Sequence, residues 1–211
     1  MSARAETLPK GLVVGVLILT LVVLALGGAV VALRLRPEPL PENAIDRAVA
    51  QWEQAVDENP EDARAFTGLG LALLEAERDP EALQVFEEAV TLDDTAWLAK
   101  FQIGLLIADD DPQRALKLIF EASRQAPERE SVAPLIAYGD LLLEVGEPKD
   151  ARDAYRRALV FDPFLYDAHF GLGQAYEALG KDQAALESYR EAGRFDPNSE
   201  AVADAIERLN G

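Results

Sequence analysis

The chain has 211 residues, 49% of them apolar, which excludes a disordered polar polymer. Its formal net charge of −18 repels phosphate backbones and argues against a nucleic-acid partner. The absence of cysteine excludes disulfides, zinc–thiolate sites and a thiol nucleophile, and leaves the redox compartment open.

Charge divides the chain near residue 36. Arg4, Lys10, Arg34 and Arg36 against Glu6 give residues 1–36 a net +3, so with −18 overall the remainder carries −21. Residues 1–10 read as a short polar tail. Residues 11–33 carry no charge and only Thr20 as a hydroxyl, and 23 residues at about 1.5 Å each span a hydrocarbon core of about 30 Å. A single-pass transmembrane helix is predicted there, bracketed by Lys10 and by Arg34 with Arg36. A cleaved leader is the alternative, because Ala25 and Gly27 resemble a cleavage site, but its apolar region is ordinarily about 7–15 residues. The basic flanks are nearly balanced, and the lean is towards an extracytoplasmic domain, with a cytoplasmic one as the other choice. Gly11 with Gly15, and Gly28 with Ala32, are small-residue pairs that would allow a homodimer through the span. Pro37, Pro39 and Pro41 make residues 34–42 an extended linker.

From Asn43 the pattern is helical. Ala44, Ala48, Trp52 and Ala55 share one face of a segment that ends at Pro60. The next unit, residues 63–96, carries Phe66, Leu69-Gly70 and Leu73 and then Ala82, Phe86 and Ala89. Asp79 is expected to cap its second helix, with Pro80 in the first turn. Residues 97–129 repeat the design with Ile103-Gly104, Ile107, Ala115, Ile119, Ala122 and Pro127, one residue short at the turn. Residues 132–164 carry Tyr138-Gly139, Leu142, Gly146, Ala151, Tyr155, Ala158 and Pro163. At a spacing of 34 these recur in residues 165–199 as Leu172-Gly173, Tyr176, Gly180, Ala185, Tyr189, Ala192 and Pro197. Val202, Ile206 and Leu209 make residues 199–209 a last amphipathic helix.

This small–large–small–Pro pattern resembles the tetratricopeptide repeat over residues 44–209. Departures are Asp94 in place of the proline, Ile119 in place of an aromatic, and Glu77 and Asp111 in the turn held elsewhere by Gly146 and Gly180. The expected fold is all-α: an N-terminal transmembrane helix, then a superhelix over 43–211 built from a half repeat (43–60), four repeats and a capping helix. The resemblance implies a concave surface lined by each unit's first helix, with Arg64, Thr67, Leu71, Phe101, Gln102, Leu105, Ile136, Asp140, Phe170 and Gln174 on it as the partner-binding residues. Only Arg64 among them is basic, so a clamp for an acidic C-terminus is not supported. An apolar groove edged by Asp140 and Glu144 suits an amphipathic helix or peptide with basic flanks. The alternative is that Phe101, Ile136 and Phe170 pack between helices.

No motif for catalysis or for a cofactor is present. His169 has no nucleophile or base in its pattern and reads as a packing residue. Asp109-Asp110-Asp111 lacks the glycine and ligand spacing of a calcium loop and precedes Pro112 as a cap would. The expected role is that of a membrane-anchored adaptor, not an enzyme, serving assembly of a membrane or extracytoplasmic complex as anchored bacterial proteins of similar layout do. The alternative is a structural subunit held in a larger membrane complex by its convex face and its span.

Overall fold

The computed structural model describes residues 43–210, which hold ten α-helices. They are α1 Ala44–Glu58, α2 Ala63–Glu75, α3 Asp79–Leu92, α4 Trp97–Leu106, α5 Pro112–Gln125, α6 Val132–Glu144, α7 Pro148–Phe161, α8 Tyr166–Ala178, α9 Asp182–Phe195 and α10 Glu200–Asn210. The tail, span and linker expected over residues 1–42 lie outside the described residues. Among those described, no helix is long and apolar enough to cross a membrane.

Helix starts follow local chemistry. Asn43 Oδ1 accepts the Asp46 N–H at 2.8 Å, and Asp62 and Asp111 accept from Arg64 and Arg114, each at 3.0 Å. These bonds satisfy backbone donors that have no partner inside the helix. Pro80, Pro112 and Pro148 lie in first turns, where no N–H is needed. One expectation is corrected here. Asp79 does not cap α3 but is its first residue; Arg78 holds the cap position, without a capping bond, and its guanidinium instead pairs with Glu81 at 2.6 and 2.7 Å.

The turns inside the hairpins separate the regular units from the short one. Gly146 and Gly180 take left-handed φ values of 81° and 65°, and Glu77 takes 57° at the equivalent place without glycine's freedom. Asp111 needs no such conformation: with one residue fewer in its turn, it sits at φ −140° as the cap of α5.

Helices pair as hairpins, α2 with α3, α4 with α5, α6 with α7 and α8 with α9, and each hairpin packs on the next. The hairpin contact has one repeated form. A large side chain of the second helix lies against a glycine of the first: Phe86 on Gly70, Ile119 on Gly104, Tyr155 on Gly139 and Tyr189 on Gly173. A Cβ on those glycines would come within 2.4 to 2.7 Å of the large side chain, so no other residue fits without a shift. These four large residues and the alanines flanking them are at most 1% exposed. Burial of each large side chain contributes about 1.5–3 kcal/mol. The core is therefore a line of small clusters rather than one centre, as expected when units meet only their neighbours.

Candidate functional site on the concave face

Beyond contacts between neighbours in sequence, α2 touches α4 and α6 touches α8. First helices therefore lie side by side in these two places, and their outward residues form the candidate concave face. Those residues come from positions that the hairpin contact leaves free.

Near the N-terminal end this face holds a cleft of about 460 Å³. Arg64, Thr67 and Leu71 line it together with Trp52 of α1 and Trp97 and Leu98 of α4. Thr67 donates its hydroxyl to the Ala63 carbonyl at 2.8 Å, so it presents mainly its methyl group. Asp93 and Arg64 are the charges at the rim. Asp93 is held below the usual carboxylate range by hydrogen bonds from the Thr95 hydroxyl and amide. The walls are otherwise apolar, and both tryptophans of the chain stand in them.

The remaining residues expected on this face separate into two groups. Leu105, 44% exposed, and Gln174 are open to solvent, while Asp140 reaches the surface with its carboxyl group partly enclosed beside Tyr155. Gln102 is half-buried, and Phe101, Ile136 and Phe170 pack against their neighbours. Phe170 stacks on Tyr166 with centroids 5.8 Å apart and tilts against Tyr189 at 5.4 Å. The expected set missed Trp52, Trp97 and Leu98. Trp52 could have been found from its register, because it is the aromatic of a half repeat whose own first helix is not among the described ones.

Further along, two tyrosines reach through the layer of first helices to carboxylates. Tyr155 passes beside Gly139 and Gly171 and donates to Asp140 at 2.6 Å. Tyr189 donates to Glu177 at 2.8 Å. Their environments differ. Glu177 also accepts from the Arg208 guanidinium at 2.9 and 3.0 Å, which holds it below its ordinary value. Asp140 has no such cation. Burial pushes its carboxyl up, against the Tyr155 hydrogen bond, and the nearby carboxylates of Asp167 and Glu144 push the same way. The middle of the face is thus acidic and the N-terminal end apolar.

Nothing among the described residues points to catalysis. His169 Nε2 lies 3.0 Å from the Pro163 carbonyl oxygen, and the ring stacks on Phe195 with centroids 5.5 Å apart. The Ser188 hydroxyl, in the same shallow cleft, donates to the Ala184 carbonyl at 2.9 Å. No group of three metal-ligating side chains gathers among the described residues.

The fold is shared with several solved proteins of low sequence identity. A protein described as YrrB, a TPR protein with an unusual peptide-binding site, is 20% identical at a TM-score of 0.65, covering 77% of this chain and 92% of its own. PilF of Pseudomonas aeruginosa is 14% identical at a TM-score of 0.68, covering 78% and 75%. MamA from residue 41 to its end, from Desulfovibrio magneticus RS-1, is 20% identical at 0.63, covering 70% and 83%. No curated protein sequence matches significantly. The sequence profile described as tetratricopeptide repeat matches residues 43–96 and 136–200, more than half of the chain, and with the hairpin register above it establishes that the chain belongs to the tetratricopeptide repeat family.

Proposed function

We propose that the chain is a membrane-anchored adaptor that recruits a protein partner to its concave face during assembly of a membrane or extracytoplasmic complex. The cleft between Trp52, Leu71, Trp97 and Leu98 carries this reading, because it offers apolar walls to an anchoring side chain in an otherwise solvated surface. The acidic stretch at Asp140, Glu144 and Asp167 suits basic residues on the same peptide or amphipathic helix. The fold likeness to YrrB, which is described as binding a peptide, supports a protein partner. The anchor rests on the uncharged run of residues 11–33, and the extracytoplasmic placement on its flanking charges.

The test is a photocrosslinking side chain placed at Leu71 in cells, with Arg157 of α7 as the comparison position. One dominant adduct from Leu71, lost on Trp97→Ala with the helical circular dichroism unchanged, is the expected result. The same adduct from Arg157 alone would overturn the groove. That outcome would favour a subunit embedded through other surfaces, a reading with its own support in the solvent-facing Val160 (79% exposed) and Phe164 (72% exposed).

A further inference from the structure

In each hairpin the residue after the contact glycine has the same register: Leu71 after Gly70, Leu105 after Gly104, Asp140 after Gly139 and Gln174 after Gly173. The glycine faces the second helix, so the next residue turns away from it, and all four reach the surface. The hairpin contact is alike from unit to unit, but this row is not. It runs apolar, apolar, acidic, amide. One turn back along each helix, Thr67, Phe101, Ile136 and Phe170 are half-buried, so the exposed apolar strip is a single side chain wide.

The helices that carry the row follow one another in space. Helix α2 touches α4 and α6 touches α8, and Leu141 of α6 shares a buried cluster with Ile103 of α4. Packed helices stand about 8–10 Å apart, so the row offers one side chain per step of that length. An amphipathic helix presents an apolar residue at each turn, about 5.4 Å along its axis, and would leave alternate turns unmatched. A polyproline II segment rises about 3.1 Å per residue and shows the same side every third residue, about 9 Å on. The spacing therefore suits an extended ligand.

Charge selects what that ligand carries. On the first helices of the four hairpins, lysine and arginine are limited to Arg64 and to Lys100, which is buried and paired with Asp94 and Glu121. No ion pair among the described residues involves Asp140, Glu144 or Asp167. Asp140 is also fixed in place. The Tyr155 hydroxyl, passing beside Gly139 and Gly171, donates to its Oδ1 at 2.6 Å and leaves Oδ2 for a ligand. We infer that the partner segment is extended and presents two large apolar residues and then a lysine or arginine, at intervals of about three residues, over Leu71, Leu105 and Asp140 in turn. Tyr155 is the positioning residue for the cation. This rests on the reading of the groove as the partner site and adds the order and spacing of what binds there. The row fixes that order and not the chain direction of the segment.

The experiment uses the full chain in detergent micelles and fluorescein-labelled peptides, with binding read by fluorescence anisotropy. In the probes two leucines and a lysine stand three residues apart, joined by proline and serine, in the orders Leu-Leu-Lys and Lys-Leu-Leu. The control of equal composition has the order Leu-Lys-Leu. One of the two probes should bind at least about tenfold more tightly than the control. Leu105→Asp with Asp140→Asn moves the acid one step along the row and should reverse that preference, a gain that misfolding cannot produce. Tyr155→Phe should weaken the favoured probe about fivefold and leave a probe with serine for lysine unchanged. Equal binding of probe and control, lost on Trp97→Ala, would overturn the order while the groove stands. Binding indifferent to Trp97→Ala would remove the groove as well. The inference is also overturned by no binding of any peptide, by an unreversed preference in the exchanged variant, or by tighter binding of a helical peptide with the same residues at intervals of seven.

Discussion

The ammonium of Lys100 lies 2.9 Å from Asp94 Oδ1, and the two residues are both departures from the repeat. Asp94 stands where other units have proline, and Lys100 stands where they have Phe66, Leu135 or His169. Lys100 is 1% exposed, and Glu121 Oε2 is its second partner at 2.8 Å. Burial works against its charge, but the hydrogen bonds it donates to Glu121 and Asp94 outweigh that and raise its pKa above the ordinary lysine value. One substitution thus supplies the charge that the other needs.

The pair and its third member should behave asymmetrically. Lys100→Met replaces the buried ammonium by an apolar chain and leaves Asp94 and Glu121 able to hydrate, so unfolding free energy should change by less than about 1 kcal/mol. Asp94→Ala with Glu121→Ala strands the ammonium and should cost about 3 kcal/mol. Because the folded pKa is raised, the contribution of Lys100 is fully present below its unfolded value near 10.5 and is lost as pH rises through the folded one. Urea unfolding of both variants, repeated at alkaline pH, checks the signs.

Two glycine positions separate close packing from backbone conformation. Gly139→Ala would drive a methyl into the Tyr155 ring, where the nearest atom is 2.7 Å from the Cβ, and should cost about 1–3 kcal/mol. At the turn between α2 and α3 the change runs the other way. Glu77→Gly relieves a left-handed non-glycine residue and should stabilise by about 1 kcal/mol. Thermal unfolding followed by circular dichroism distinguishes the two, with the melting midpoint falling for the first and rising for the second.

Asp140 should reveal whether its charge serves the fold or a partner. Its folded pKa is raised by burial, so the ionised form weighs against folding. The contribution is favourable below the unfolded value near 3.8 and lost as pH rises through the folded one. Asp140→Asn keeps an acceptor for the Tyr155 hydroxyl and sheds the charge. At pH 7 it should leave stability equal or raise it by less than about 1 kcal/mol, with the gain vanishing at acid pH. Binding of a lysine-flanked peptide to the groove should weaken in the same variant. A stable variant with undiminished binding would remove Asp140 from the proposed site.

The hairpin register was legible because its residues recur at fixed spacing: Tyr155 and Tyr189, or Gly139 and Gly173, announce the same contact twice. What sequence did not disclose depends on neighbours in space. Asp94 was visible as a departure, but Lys100 was not, since the reason for a buried lysine lies in Glu121, 21 residues away on another helix. Phe101, Ile136 and Phe170 carry the register of concave residues, yet each is large enough to fold back onto adjoining side chains, and local packing rather than register decides their exposure. Trp52 presents the reverse case. It has the register of a buried residue but is 40% exposed, in a half repeat whose first helix is not among the described residues.

The last helix is held by an ion pair that should make it sensitive to acid. Arg208 of α10 binds Glu177 of α8 through two hydrogen bonds, and Tyr189 donates to the same carboxylate. The hydrogen bond from Arg208 depresses the Glu177 pKa. The contribution of this group is therefore present above its unfolded value near 4.5 and lost as pH falls through the folded one. Because α10 meets chiefly α9 and fully buries only its own Val202 and Ala205, it should open before the rest. Hydrogen exchange resolved by segment should show Glu200–Asn210 losing protection at acid pH while α6 and α7 keep theirs. Glu177→Gln should produce the same loss at pH 7. Equal protection of α10 in that variant and the parent chain would mean that Val202, Ala205, Ile206 and Leu209 hold the helix without the pair.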